Sequence, residues 1–219
     1  MRWFDVIDST NRYLLECAAA GAGEGMVAVA DEQTAGRGRL GRTWVAPPGS
    51  ALLVSVLLRP QLAPERVHLL TLASALALID ALPGTDARLK WPNDVVVDDR
   101  KLAGILAEAN GRGAIVVGMG VNVRSDGLAP EVRGMAAACD VDRHELLVAW
   151  LRRLHERLDR LEGTIPEAIA RSATLGRHVR VELAGETFEG TARALTTEGY
   201  LVVDGRIVTA GDVVHLRAD

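Results

Sequence analysis

GRGRLGRTWVAPPGS, residues Gly36–Ser50, decides the fold class, because its first six residues fit G-x-G-x-x-G letter for letter. That spacing marks a dinucleotide-binding turn only in a particular setting. A strand must lead in, a helix must open at the third glycine, and an acid must follow about twenty residues later. MVAVA, Met26–Ala30, supplies the strand. The helix is excluded, since Pro47-Pro48-Gly49 follows closely and belongs to no helix interior. The position twenty beyond Gly41 is Gln61, which is no ribose-binding acid, and the chain has no G-x-x-x-x-G-K-[ST] phosphate loop. What remains is a mobile glycine-rich loop in which Arg37, Arg39 and Arg42 offer forked cationic donors. Such a loop suits a ligand with several anionic oxygens, such as a nucleoside triphosphate, pyrophosphate or an acyl phosphate. The competing reading is a basic surface loop with no ligand, and three arginines on an otherwise acidic protein weigh against it.

Outward from that loop the pattern is mixed. Ser9 or Thr10 caps a short helix, STNRYLLECAAAG, that Gly21 ends. ALLVSVLLR is a nearly continuous apolar strand closed by Pro60, and APERVHLLTLASALALIDAL has helical period and length. Strand-like ARLKW, VVVDD, RKLAGILAEA and AIVVGMGVNV follow, the second and third split by a charged turn. RHELLVAWLRRLHERLDRLE is amphipathic, with Asp142 as cap and Leu146, Trp150, Leu154, Leu158 and Leu161 on one stripe, and IPEAIARSA adds a short helix. From about Gly176 the period changes to five short strands, HVRVELA, TFEGTARALT, YLVV, RIVT and VVHLR. Val203-Asp204-Gly205-Arg206 is a hairpin signal and Ala184-Gly185-Glu186 another turn. The division expected is a larger α/β domain, 1–174, and a small all-β barrel, 175–219.

Composition narrows the function. The chain has 219 residues, 48% of them apolar and 4% aromatic, so an aliphatic core is expected and disorder is not. A net charge of −4 argues against a general binder of nucleic acid or anionic membrane. No transmembrane run or signal-peptide start is present, which leads to the expectation of a cytoplasmic protein. Cys17 and Cys139 sit among alanines as buried thiols, and the five scattered histidines make no zinc spacing. Among 25 basic residues only Lys90 and Lys101 are lysines, which marks them as places where a compact point charge is needed.

The second dense stretch is KWPNDVVVDDRKLAGILAE, Lys90–Glu108. Pro92 holds Trp91 extended, so Asn93 and Asp94 open a turn beside an ammonium at a strand end, where α/β folds gather ligands. Asp94 can hold Mg²⁺ against phosphate and Asn93 can bind a base or a phosphate oxygen; a plain Pro-Asn-Asp turn beside a solvated lysine is the alternative. Gly104 and the Gly118-Met119-Gly120-Val121-Asn122 run let something approach the strand backbone.

GRGRLGRTW, KWPNDVVVDDRKLAGILAE and GMGVN together resemble the biotin–protein ligases, in family order and over nearly the whole chain from Asp8-Ser9-Thr10-Asn11. The resemblance implies an α/β (α+β) fold: a mixed-sheet, class II synthetase-like biotin/lipoate ligase catalytic domain followed by an SH3-like β-barrel. It implies a two-step reaction. Biotin and Mg·ATP give biotinyl-5′-AMP, and the biotinyl group then passes to a lysine of a biotin carboxyl carrier domain. Ser9, Thr10, Asn11 and Gln33 match the residues that meet the ureido group, whose two N–H donors and one carbonyl suit hydroxyls and amides. Gly36, Arg37, Gly38 and Arg39 match the loop that covers biotin and its adenylate, with Gly104 lining the pocket. Lys101 and Arg39 are the expected catalytic cations, Lys101 bridging biotin carboxylate and α-phosphate. Arg42, Trp44, Lys90, Asn93 and Asn122 match the ATP side, and Asp94 the Mg²⁺-linked acid. The motif begins eight residues from the start, so no DNA-binding repressor domain is expected, and neither DNA nor membrane is an expected partner. The oligomer expected is a monomer or weak homodimer. Arg124 and Arg133, in RSDGLAPEVRGMAAA, find no place in the scheme. The rivals are a lipoate or octanoate ligase, whose ligand loop carries a different glycine signature, and a non-catalytic biotin sensor.

Overall fold

The computed structural model describes residues 1–216. Two sheets organise it. The first has seven strands: β1 (Arg2–Ile7), β2 (Val27–Gln33), β3 (Ala51–Leu58), β4 (Arg88–Lys90), β5 (Asp94–Val97), β6 (Arg100–Ala109) and β7 (Ile115–Asn122). Their order is β1-β2-β3-β7-β6-β5-β4; β1 and β2 run parallel and every other pair is antiparallel, so the sheet is mixed. The second is antiparallel, ordered β11 (Arg206–Val208), β10 (Leu201–Val203), β9 (Glu186–Leu195), β8 (His178–Leu183) and β12 (Asp212–His215). The expected last strand, VVHLR, ends at Arg217, which lies outside the described residues.

The unbroken apolar run of β3 is explained by cover on both faces. Leu52, Val54, Val56 and Leu58 enter the main core, which helices α2 (His68–Asp80), α3 (Arg143–Leu158) and α4 (Thr164–Ala170) complete. Leu57 points the other way, with Ala28 and Val116, against Leu14 and Ala18 of helix α1 (Thr10–Ala19). Ser9 caps α1 and Asp142 caps α3, the latter accepting from the amides of His144 and Glu145. In α3, Leu146, Trp150 and Leu154 are buried; Leu161 lies beyond the helix in a 3-10 turn but still packs on the core. The Asp204-Gly205 hairpin forms with both residues at positive φ, 43° and 88°, as a primed turn requires.

Two departures from the sequence reading matter. Strand β1 is absent from that reading, because Arg2 and Asp5 break its apolar pattern at an exposed edge. It is pinned instead by Trp3, whose indole donates to Asp31 at 2.7 Å and stacks on His144. The arginine loop is an ordered hairpin: Trp44 N donates to Gly36 O, Gly38 N to Arg42 O, and Arg37 and Thr43 bridge. Leu40 and Gly41, both at positive φ, form its tip. A Cβ on Gly36 would lie 2.4 Å from the Trp44 carbonyl, so that glycine is needed for the hairpin to close.

Candidate functional site

Strand pairing builds the floor of one cavity from small residues. Gly104 of β6 faces Gly120 of β7, which faces Leu53 of β3; one row along, Leu106 faces Gly118, which faces Ser55. A Cβ on Gly120 would lie 2.6 Å from the Trp44 indole, and one on Gly118 would lie 2.0 Å from the Asn11 amide oxygen. The glycines therefore admit side chains from the hairpin and from α1 onto the sheet itself. Trp44 lies over Gly104 and Gly120, its indole N–H buried and without a partner.

Lys101 reaches this face through a bulge. In the β5·β6 ladder Val96 opposes Lys101 while Val95 opposes Ala103, so Leu102 is surplus and buried in the core. Strand alternation alone would place Lys101 with Ala103 and Ile105 on the core side; the extra residue turns it to the side of Gly104 and Leu106. The segment after the Pro130–Val132 turn holds the bulge in place. Lys101 N donates to Met135 O at 2.7 Å, and Lys101 O accepts from Ala137 N at 2.9 Å.

Ser9, Thr10, Asn11, Gln33, Arg37, Gly38, Arg39, Arg42, Trp44, Asn93, Asp94, Lys101 and Gly104 all line this one cavity. Lys101 Nζ is 2.8 Å from Asp94 Oδ1, an ion pair without the angle of a hydrogen bond, since that oxygen is buried with no aligned donor. Arg39 donates to Asn93 Oδ1 at 3.2 Å, and Asn93 is fixed by donating to Ile105 O at 2.9 Å. Burial pulls the Arg39 guanidinium below its ordinary pKa, and the carboxylates of Asp212 and Asp94 oppose that pull. Arg42 is raised, through its hydrogen bond and charge pairing with Asp212.

Three expected residues lie elsewhere. Lys90 does not line the cavity; its charge acts on Asp99 and His215, beside the second sheet. Asn122 donates its amide to Ala137 O at 3.0 Å and to Lys101 O at 3.4 Å, tying the 135–139 segment to the sheet. Gly36 lines a neighbouring depression under the hairpin rather than the cavity. Arg124 and Arg133 are engaged by their own segment, at Asp126 and Leu128 O.

Residues 3–126 match the family model of the biotin/lipoate A/B protein ligases, and residues 174–216 that of the biotin protein ligase C-terminal domain. The chain belongs to the biotin/lipoate A/B protein ligase family. A Mycobacterium tuberculosis relative named biotin–[acetyl-CoA-carboxylase] ligase is 40% identical over 99% of this chain and 90% of its own. A protein of the same name from Paracoccus denitrificans is 34% identical over 94% of this chain and 96% of its own. Among solved structures, the biotin protein ligase from Aquifex aeolicus in complex with biotin and ATP is similar at TM-score 0.85 and 29% identity. The match covers 99% of this chain and 98% of that one.

The ligase carries site residues that motif spacing did not single out. Ser55 lies fully buried in the middle of β3 and hydrogen-bonds Thr10 at 2.7 Å and Asn11 at 2.6 Å; its signal was one hydroxyl inside ALLVSVLL. Asp212 belongs to β12 of the second sheet yet lines the cavity and pairs with Arg42 of the hairpin. No local pattern marks it, because the contact spans 170 positions. The described residues hold no group of three His, Cys, Asp or Glu able to hold a metal alone. The unaligned Asp94 Oδ1 fits the other kind of Mg²⁺ site, in which one carboxylate and the substrate's phosphates share the ion. At about 130 Å³ the cavity is smaller than the several hundred Å³ usual for a small-molecule site. No helix among the described residues is long and apolar enough to cross a membrane.

Proposed function

We propose that this ligase activates biotin with Mg·ATP and passes the biotinyl group to one lysine of a biotin carboxyl carrier domain. In the first step a carboxylate oxygen of biotin attacks the α-phosphorus, the new O–P bond forms, and the bond to pyrophosphate breaks. In the second, the lysine ε-amine attacks the acyl carbon of biotinyl-5′-AMP, AMP leaves, and the amine loses a proton. The observation that supports this reading is convergence: Arg39 and Lys101 meet across Asp94 in one cavity whose other end is hydroxyls and amides.

The roles follow from charge. Two anions repel as they approach, so cations placed beforehand at the meeting point lower the barrier. Lys101 stands between the biotin carboxylate and the α-phosphate, and Arg39, already partly desolvated, holds the phosphate. Arg42 and Asn93 attend the nucleotide, and Asp94 would hold Mg²⁺. The ion supplies further neutralisation of phosphate charge. Trp44 and the hairpin backbone at Gly36, Arg37 and Gly38 cover the anhydride and keep water from it. Ser9, Thr10, Asn11 and Gln33 meet the urea, and Gly104 leaves room for the chain between. Residues 1–174 act as the catalytic domain, and 175–219 as a second domain that reaches the site through Asp212.

A streptavidin blot of a carboxyl carrier domain incubated with the protein, biotin and Mg·ATP is the direct test. Labelling that needs all three supports the reading. Pyrophosphate exchange driven by lipoate and not by biotin would reverse it.

A further inference from the structure

Glu108 sits at the far end of β6, outside the cavity, and nothing in the two-step chemistry calls for it. Its two oxygens are both engaged: Oε1 accepts from Arg37 of the hairpin at 2.7 Å, and Oε2 accepts from the Asn11 side-chain nitrogen at 2.8 Å. Asn11 is buried, and its nitrogen also donates to the Leu106 carbonyl at 3.3 Å. Both partners accept only, so they fix which way the amide faces. The Asn11 oxygen is thereby turned to Ser55 Oγ, 2.6 Å away, and takes that hydroxyl's single proton. Ser55 has nothing left to donate to Thr10 Oγ1 at 2.7 Å, so the Thr10 hydroxyl must be the donor, either to Ser55 or to Gln33 Oε1 at 2.9 Å. The same Gln33 oxygen accepts the Thr10 amide at 2.7 Å, which leaves Gln33 Nε2 with no protein partner among the described residues.

We propose that Glu108 is a positioning residue that sets the donor and acceptor polarity of the urea-reading end, acting through Asn11, Ser55 and Thr10. The inference rests on biotin as the substrate. The carboxylate, which makes the shorter of the two bonds to the Asn11 nitrogen, acts with the Leu106 carbonyl to orient the switchable groups downstream. Thr10 is left with an oxygen free to accept and Gln33 with a nitrogen free to donate, which complement the N–H and C=O of a cyclic urea. Glu108→Gln preserves the shape and reverses the instruction. With its oxygen kept on Arg37, its NH₂ meets the NH₂ of Asn11, Asn11 turns over, and its nitrogen now donates to Ser55. The Ser55 proton is released toward Thr10, whose oxygen is then occupied from within the protein.

The experiment is biotin-dependent pyrophosphate exchange with wild type and Glu108→Gln, varying biotin and ATP separately. The expected result is a KM for biotin raised at least fivefold, with KM for ATP and kcat within twofold and Tm unchanged. In an Asn11→Ala background, Glu108→Gln is expected to add less than twofold, because the route to the ligand is already cut. A biotin KM within twofold of wild type overturns the proposal. So does an equal rise in both KM values, or full additivity with Asn11→Ala. Should Glu108→Gln fail to fold, Ser55→Ala removes the next link and is read by the same split. Wild type that exchanges pyrophosphate with lipoate and not biotin would sink the substrate assignment instead, so the two failures are told apart.

Discussion

The two ends of the cavity are built on opposite principles. At the end formed by α1 and β3, Thr10, Asn11 and Ser55 are buried, neutral and hydrogen-bonded to one another, and the nearest ionised group, Glu108, stands behind them. At the hairpin end the groups are ionised and partly solvated: Lys101 is 42% exposed and Arg42 61%, each held by a carboxylate, Asp94 or Asp212. A buried neutral network tolerates almost no rearrangement, since an unsatisfied member costs about 1–3 kcal/mol. A half-exposed ion pair is worth about 1 kcal/mol or less, so a polyphosphate can take over its cation at little cost. One end is suited to reading a fixed shape and the other to exchanging partners during a reaction.

Four results would break or sharpen that contrast. The largest effect is expected from Lys101→Ala, which removes the cation proposed to stand where the two anions meet. Adenylate formation should fall about 100- to 1000-fold in single-turnover measurement, and a fall below tenfold would remove Lys101 from the chemistry. Gly118→Ala should strike the neutral end alone, because its Cβ would lie 2.0 Å from the Asn11 amide oxygen. KM for biotin is expected to rise about tenfold or more, with KM for ATP nearly unchanged, as isothermal titration with each ligand would also show. The third concerns His215, whose pKa burial, then Lys90 and Arg177, lower from 6.5 to about 4 while Asp99 opposes. The unfolded chain takes up this proton near pH 6.5 and the folded chain only near pH 4, so the stability is full above pH 6.5 and drains toward pH 4. Allowing for solvent screening, about 1–2 kcal/mol should be lost between pH 7 and 4.5. His215→Gln, which can still reach Thr174, should flatten that slope in urea titrations. The smallest effect is Asp212→Asn, which frees Arg42; trypsin should cut the nucleotide-free hairpin up to about fivefold faster, and less so in high salt.

Legibility in the sequence followed the same divide between local and distant causes. Helix caps at Ser9 and Asp142, the Asp204-Gly205 turn and the apolar run of β3 depend on neighbours along the chain, and each was readable there. The cations Arg39 and Lys101 and the amides at Asn11 and Gln33 were legible as motif members, and the fold brings them to one cavity. Strand β1 was not legible, because an edge strand keeps polar residues and owes its place to Trp3 meeting Asp31. Nor was the order of the hairpin, since glycine-rich sequence implies freedom whereas cross-strand hydrogen bonds remove it. Lys90 shared its stretch with Asp94 but does not line the cavity, and its charge is felt instead at Asp99 and His215. Cys139 is a thiol that burial raises to about 11, in keeping with an inert role at a position where composition alone suggested one.

The surplus residue at Leu102 separates two properties of this strand, where its lysine aims and how well it packs. Deleting Leu102 would set Lys101 directly beside Ala103 in regular alternation, so the ammonium would stay on the side of Gly104 while the core lost a fully buried leucine. The aim of Lys101 thus survives the loss of its neighbour, and a one-residue deletion here is expected to be felt as weaker folding of the strand before it is felt as a misdirected ammonium.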